Sequence, residues 1–167
     1  DGFFVSADWE DKVLQDAIHK FKYNFARELA EPLSKLMIKK ITELNTELIH
    51  ELKNFVILPV PLHQRRLAWR GFNQAELLAQ AVAQEFGLQI NNNLLIRKKY
   101  TSPQVKLKSK DRNKNIQGAF EIKSNLIFKN ILLIDDVITT GATMNEIARI
   151  LKNNGAKKVF GLAIARG

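Results

Sequence analysis

The stretch Ile131-Leu132-Leu133-Ile134-Asp135-Asp136-Val137-Ile138-Thr139-Thr140-Gly141-Ala142-Thr143 constrains this chain more than any other. Four consecutive aliphatic residues, Ile131 to Ile134, suit a strand buried on both faces of a parallel sheet, because a strand with one wet face alternates apolar and polar positions. The strand is expected to end at Asp135. Two adjacent carboxylates and a hydroxyl-rich turn then lead into a helix. Its apolar positions Met144, Ile147, Ala148 and Leu151 recur at helical spacing, and Gly155 stops it. A strand, a turn with one glycine and a helix N-terminus gather backbone N–H groups and the positive end of the helix dipole around one small volume, which Gly141 lets the backbone approach closely. That volume suits a phosphate. Asp135 and Asp136, acceptors only when ionised, suit a diol such as the two free hydroxyls of a ribose. Together they describe a ribose 5-phosphate site.

Taken singly, these residues have a plainer reading: aspartates that end a strand, a threonine that caps a helix. The whole run is more specific. It resembles the phosphoribosyl pyrophosphate motif of type I phosphoribosyltransferases, a hydrophobic strand, an acidic pair and Thr-Thr-Gly-x-Thr, and it lacks the lysine of a P-loop. The resemblance implies that Asp135 and Asp136 are catalytic and that Val137, Thr139, Thr140, Gly141, Ala142 and Thr143 bind phosphoribosyl pyrophosphate. It also implies an α/β fold of the type I phosphoribosyltransferase kind, a mostly parallel, helix-flanked sheet with N-terminal helices.

The chain has 167 residues, enough for one domain with a core and too few for two ordinary ones. We read 1–52 as a helical hood and 53–167 as the core of that domain. No apolar run approaches the roughly 18 residues of a membrane span, and Asp1 to Val5 does not read as a secretory signal, so the expectation is a cytoplasmic protein. With no cysteine and three scattered histidines, neither a disulfide framework nor a transition-metal site is expected. A hard cation stays open.

Along the chain, an amphipathic helix is expected from about Asp8 to Lys22, with acids in its first turn. A second helical pattern runs from Phe25 to Leu52 and is interrupted near Pro32 or between Thr42 and Thr46. His19, Lys22 and Tyr23 read as solvated or packing residues. Phe55 to Leu58 reads as a buried strand leading into a proline-directed basic loop, and Asn73 with Glu76 as a capping-box variant opening a helix to Gly87. Loops between a strand and a helix line the ligand crevice of open α/β sheets. Arg65, Arg66 and Arg70 lie in such a loop, and their planar forks match the oxygens of a pyrophosphate. Phe120 to Ile122 and Val159 to Ile164 are further strands.

The run Val60-Pro61-Leu62-His63, then Arg70-Gly71-Phe72-Asn73-Gln74-Ala75-Glu76-Leu77-Leu78-Ala79, is similar to the ComF family, phosphoribosyltransferase-like proteins linked to DNA uptake in bacterial competence. Arg97, Thr101, Gln104, Leu107, Arg112, Asn115 and Gly118-Ala119-Phe120 extend the similarity, as do His19, Lys22-Tyr23 and Ala165-Arg166. Many members begin with a four-cysteine zinc module, which this sequence lacks. Between Arg97 and Asn115 eight Lys or Arg residues stand against Asp111 alone in an aperiodic segment. Segments of this kind are lids or binding loops, or else disordered, and the resemblance implies a lid over the substrate carrying Thr101, Gln104 and Arg112. It further implies displacement of pyrophosphate from phosphoribosyl pyrophosphate by a nitrogen nucleophile, with Mg²⁺ held by the ligand and no direct protein ligand to the metal. The alternative is a non-catalytic module that keeps the site and handles single-stranded DNA or competence-machinery proteins. The basic segment supports it, but Tyr100 is the only stacking face there.

Overall fold

The computed structural model describes residues 2–44, 46–101 and 115–167. Its centre is a five-stranded sheet in the order β1-β7-β6-β2-β3, formed by β1 (Phe3–Asp8), β2 (Val56–Pro59), β3 (Gln89–Ile90), β6 (Asn130–Ile138) and β7 (Lys158–Arg166). Every pairing in it is parallel. Two short strands, β4 (Leu95–Arg97) and β5 (Phe120–Ile122), pair antiparallel outside that sheet.

The aliphatic run in β6 is explained by what covers it. Leu132 and Ile134 face a core built with α1 (Lys12–Tyr23), α2 (Ala30–Thr42) and α5 (Gln74–Phe86). Ile131 and Leu133 face a second core with α6 (Ala142–Asn153). None of the four is more than 1% exposed, and each such side chain contributes about 1.5–3 kcal/mol by leaving water.

The connections diverge at one place. After β2 the chain crosses through α4 (Gln64–Arg70) and α5 to β3 on one side, whereas after β6 it crosses through α6 to β7 on the other. Adjacent strands whose connections leave in opposite directions open a crevice at their carboxyl ends. Pro61, just after β2, and the acid pair of β6 border that crevice.

Several boundaries differ from expectation for identifiable reasons. The strand does not end at Asp135: β6 continues to Ile138, because Asp135, Val137 and Ile138 keep their register against Ala163, Ala165 and Arg166 of β7. The first helix starts at Lys12, since Asp11 is its N-cap, accepting from the Val13 and Leu14 amides, while Asp8 closes β1. Residues 3–8, read as part of a helical hood, are the edge strand of the sheet. The second helical pattern breaks after Thr42, as expected, and resumes as α3 (Thr46–Leu52). The basic loop after β2 contains α4, capped by His63 Nδ1 and ended by Gly71 in the left-handed region at φ 71°. Asn73 caps α5, but Glu76 does not reach back; its carboxylate takes the Asn92 amide at 2.8 Å. Among the described residues no helix is long and apolar enough to cross a membrane.

Candidate functional site

A cleft of about 340 Å³ opens at the carboxyl ends of β2 and β6. Its floor comes from Asp135, Asp136, Val137, Thr139 and Thr143, and one wall from Val60, Pro61 and Leu62 after β2. Gly141 and Ala142 border a small adjoining recess that shares Asp135, Val137, Thr139 and Thr143 with the cleft. The recess lies at the start of α6, where Gly141 occupies the N-cap position at φ 78° and contributes no side-chain cap. A side chain at that position costs strain, so the turn is built for glycine. Thr140 borders neither space; its hydroxyl accepts from the Ala142 amide at 3.4 Å.

The opposite wall is cationic. Arg66, Arg70 and Arg97 all line the cleft. Arg66 donates from Nη2 to the Thr101 carbonyl at 2.8 Å, and Arg97 donates to the Thr101 hydroxyl. Arg70, 9% exposed, donates from Nη1 to Gln74 Oε1 at 2.9 Å and lies 5.0 Å from the centre of the Tyr23 ring. Among the described residues, the buried Nε atoms of Arg70 and Arg97 find no hydrogen-bond partner. A buried orphan donor is costly, and two on cations flanking one cleft mark a place for an anion. Burial first, and then the neighbouring Arg66, pull the Arg97 guanidinium down to about 10, so the wall is already crowded with positive charge. The third expected clamp residue, Arg65, is exposed outside the cleft lining, with its guanidinium 5.5 Å from the Tyr100 ring.

The acid pair carries the opposite strain. Burial first and the adjacent Asp136 second push the Asp135 carboxyl up to about 7, against the opposing pull of Lys22. The Asp136 amide donates to Asp135 Oδ1 at 2.9 Å. Lys22 and Tyr23, read from sequence as solvated or packing residues, line the cleft with Trp9, and Lys22 Nζ is 3.1 Å from Asp136 Oδ1. Gln74 fixes this wall: its Nε2 donates to the Phe21 carbonyl at 3.2 Å in the last turns of α1. The sequence signals for Lys22, Arg97 and Gln74 were their membership of the ComF-like pattern, since no local motif marks them.

Of the expected lid, Thr101 is buried between Arg66 and Arg97. Gln104 and Arg112 lie outside the described residues. The segment is anchored at its ends, where the Lys98 amide donates to the Ala119 carbonyl at 2.8 Å and the Gly118 amide to Glu146 Oε1 at 2.9 Å. Arg149, hydrogen-bonded to Glu146, holds that carboxyl below its usual range.

Residues 73–165 match the family model described as the phosphoribosyl transferase domain. The chain belongs to this family. The ComF resemblance is borne out too. Competence protein F of Haemophilus influenzae is 36% identical over 154 residues, covering 89% of this chain and 66% of that protein. DNA utilization protein YhgH of Escherichia coli K12 is 33% identical over 146 residues, covering 87% and 64%. The chain therefore spans just under two thirds of the length of these relatives. Among solved structures, a purine phosphoribosyltransferase from Pyrococcus horikoshii is 18% identical with a TM-score of 0.48, covering 80% of this chain and 73% of that one. The domain match takes in the acid pair and the turn into α6, whereas Lys22, Arg66 and Arg70 stand outside it.

The described residues contain no group of three or more His, Cys, Asp or Glu that would cage a metal. Two carboxylates beside a cationic wall fit a divalent ion only if it arrives with most of its own ligands. A Mg²⁺ bound to a polyphosphate meets that condition.

Proposed function

We propose that this domain binds phosphoribosyl pyrophosphate with Mg²⁺ and transfers the phosphoribosyl group to a nitrogen nucleophile, displacing pyrophosphate. One observation carries the reading: the acid pair and three arginines line one cleft, and the glycine turn at the start of α6 borders a recess that adjoins it, the partners that a ribose, a pyrophosphate and a 5-phosphate need. Asp135 and Asp136 take the two ribose hydroxyls. The recess at Gly141 takes the 5-phosphate, favoured by the helix dipole. Arg66, Arg70 and Arg97 take the pyrophosphate, whose oxygens give the orphan Nε atoms their partners.

The chemistry follows from that placement. The anomeric C–O bond to pyrophosphate breaks with both electrons leaving on oxygen, the C–N bond forms, and the nitrogen sheds its proton. The sugar gains positive charge on the way, and the carboxylates below it lower the energy of that state. Mg²⁺ would neutralise the departing pyrophosphate. The relatives' names, Competence protein F and DNA utilization protein, support a role for this reaction or this site in the handling of DNA. Calorimetry with phosphoribosyl pyrophosphate and Mg²⁺ and an assay for released pyrophosphate with candidate amines test the reading. Asp135→Asn combined with Asp136→Asn should abolish both signals in a folded protein, and unchanged affinity would refute the assignment.

A second reading, single-strand DNA binding, is favoured by an exposed aromatic row beside the cleft mouth. Tyr23, Phe25 and Trp69 are 41%, 58% and 57% exposed, and Trp69 stands 5.9 Å from Tyr23 and 6.5 Å from Phe25 between ring centres. Phe25 holds a φ of 57°, a conformation rare for a bulky residue and concentrated at functional sites. Bases stack on such faces while arginines track the backbone. Trp69→Ala with Phe25→Ala should weaken oligonucleotide binding measured by anisotropy, and unaltered binding removes this reading.

A further inference from the structure

Lys22 comes from the last turn of α1, far in sequence from the acid pair, yet its ammonium lies 3.1 Å from Asp136 Oδ1. Only 20% of its side chain and 11% of that of Asp136 are exposed. Surface ion pairs contribute little. This one is secluded, so breaking it strands a desolvated charge unless another partner takes over. The charged groups facing it are Asp135 on the same strand, Arg97 from β4, and Arg66 and Arg70 from α4. Among the described residues, Lys22 alone makes an ion pair with either aspartate.

We infer that Lys22 is a resident counter-cation that closes the acid pair to free divalent metal and releases Asp136 only when a metal and a phosphorylated sugar arrive together. The inference rests on the phosphoribosyl pyrophosphate reading above. A free divalent ion would have to shed water and expel a tethered ammonium, gaining two carboxylates and, among the described residues, no third His, Cys, Asp or Glu. A metal carried on pyrophosphate keeps its own oxygen ligands. The incoming sugar hydroxyls satisfy the aspartates, and the pyrophosphate offers the displaced ammonium a new anion. Lys22 is in this sense a positioning residue. It makes metal and sugar phosphate enter together, and it couples α1 to the occupancy of the site.

The test uses Mn²⁺, whose bound and free forms electron paramagnetic resonance distinguishes, with no other ligand present. Wild type should bind no Mn²⁺ at the acid pair. Lys22→Met should bind it at least tenfold more tightly than the weakest binding the titration detects, Lys22→Arg should keep the site closed, and adding Asp136→Asn to Lys22→Met should remove the gained binding. If Lys22→Met does not fold, Lys22→Gln carries the same comparison. A purely structural lysine would leave Mn²⁺ binding where it was, and that result overturns the inference. So does Mn²⁺ binding to wild type alone, or gained binding that survives Asp136→Asn. Calorimetry of wild type with phosphoribosyl pyrophosphate and Mg²⁺ is read separately: failure there refutes the functional reading, while the Mn²⁺ series still judges Lys22.

Discussion

Gly141 and Gly155 bracket α6 in the left-handed region, at φ 78° and 99°, and this pair separates a phosphate cradle from an ordinary helix boundary. Gly141→Ala forces a Cβ into a conformation costing about 1–2 kcal/mol, offset by about 0.4–1 kcal/mol from the stiffer unfolded chain. The new Cβ would meet Phe3 Cε2 at 3.3 Å and Asn145 Nδ2 at 3.4 Å. Both are side-chain ends, and Phe3 is 40% exposed, so they yield. A net loss of roughly 1 kcal/mol lowers Tm by about 2–4 °C in a domain of this size. Gly155→Ala should cost a similar amount, since its Cβ would meet only Lys129 Nζ, at 3.6 Å. Ligand binding should split them. Ribose 5-phosphate or AMP, titrated by calorimetry, should bind Gly141→Ala about tenfold more weakly, because one charge-assisted hydrogen bond is worth about 1.5–3 kcal/mol. Gly155→Ala should bind as wild type does. Equal binding by all three proteins would place the phosphate elsewhere, and equal weakening in both variants would show that only the integrity of α6 matters.

Three other outcomes are expected. Gly161→Ala should destabilise more than either of these, by about 1–3 kcal/mol from overpacking, because its Cβ would run into Met144 Sδ and lie 2.6 Å from Phe3 Cδ1; urea denaturation measures it. Arg66→Ala should weaken phosphoribosyl pyrophosphate binding at least tenfold in calorimetry, whereas Arg65→Ala should change it less than twofold. Asp135, raised to about 7, holds a proton in the folded state that the unfolded chain releases near 3.9, so its contribution to stability falls as pH rises from about 4 to about 7 and is level above that. Ligand binding that needs the ionised carboxylate should then release a proton below pH 7, seen as a calorimetric enthalpy that varies with the buffer's ionisation heat at pH 6 and not at pH 8.

The glycine turn and the doubly buried strand were legible because each is local: one apolar run fixes the burial of β6, and one glycine fixes the turn into α6. The basic segment after β2 was legible as a site wall but not as a helix, because its seven residues Gln64–Arg70 are too few for periodicity to show. Which arginines face inward was not legible either. Arg65 and Arg66 are adjacent, and only the placement of α4 against Thr101 turns one in and the other out. Residues 3–8 alternate too weakly to announce a strand, and what makes them one is β7, which no local pattern can reveal. Lys22 stayed hidden for the same reason: its partner is decided by the docking of α1 across the sheet.

The edge position of β1 bears on how the chain is assembled as it leaves the ribosome. Ser6 donates to the Ala163 carbonyl across 157 residues of sequence, and the Gly161 amide donates to the Gly2 carbonyl. Contacts so distant in sequence form slowly, since the loop must close before they gain anything. Until β7 emerges, Phe3, Phe4 and Val5 have no strand to join, and an unpaired apolar segment is open to association with other nascent chains. Trp9 directly follows β1 and Lys22 lies one helix further on, so the β1–β7 pairing helps to carry both to the cleft. On the Lys22 inference above, a translation pause before β7 would leave the carboxylates on β6 without their counter-ion, in a form open to free metal.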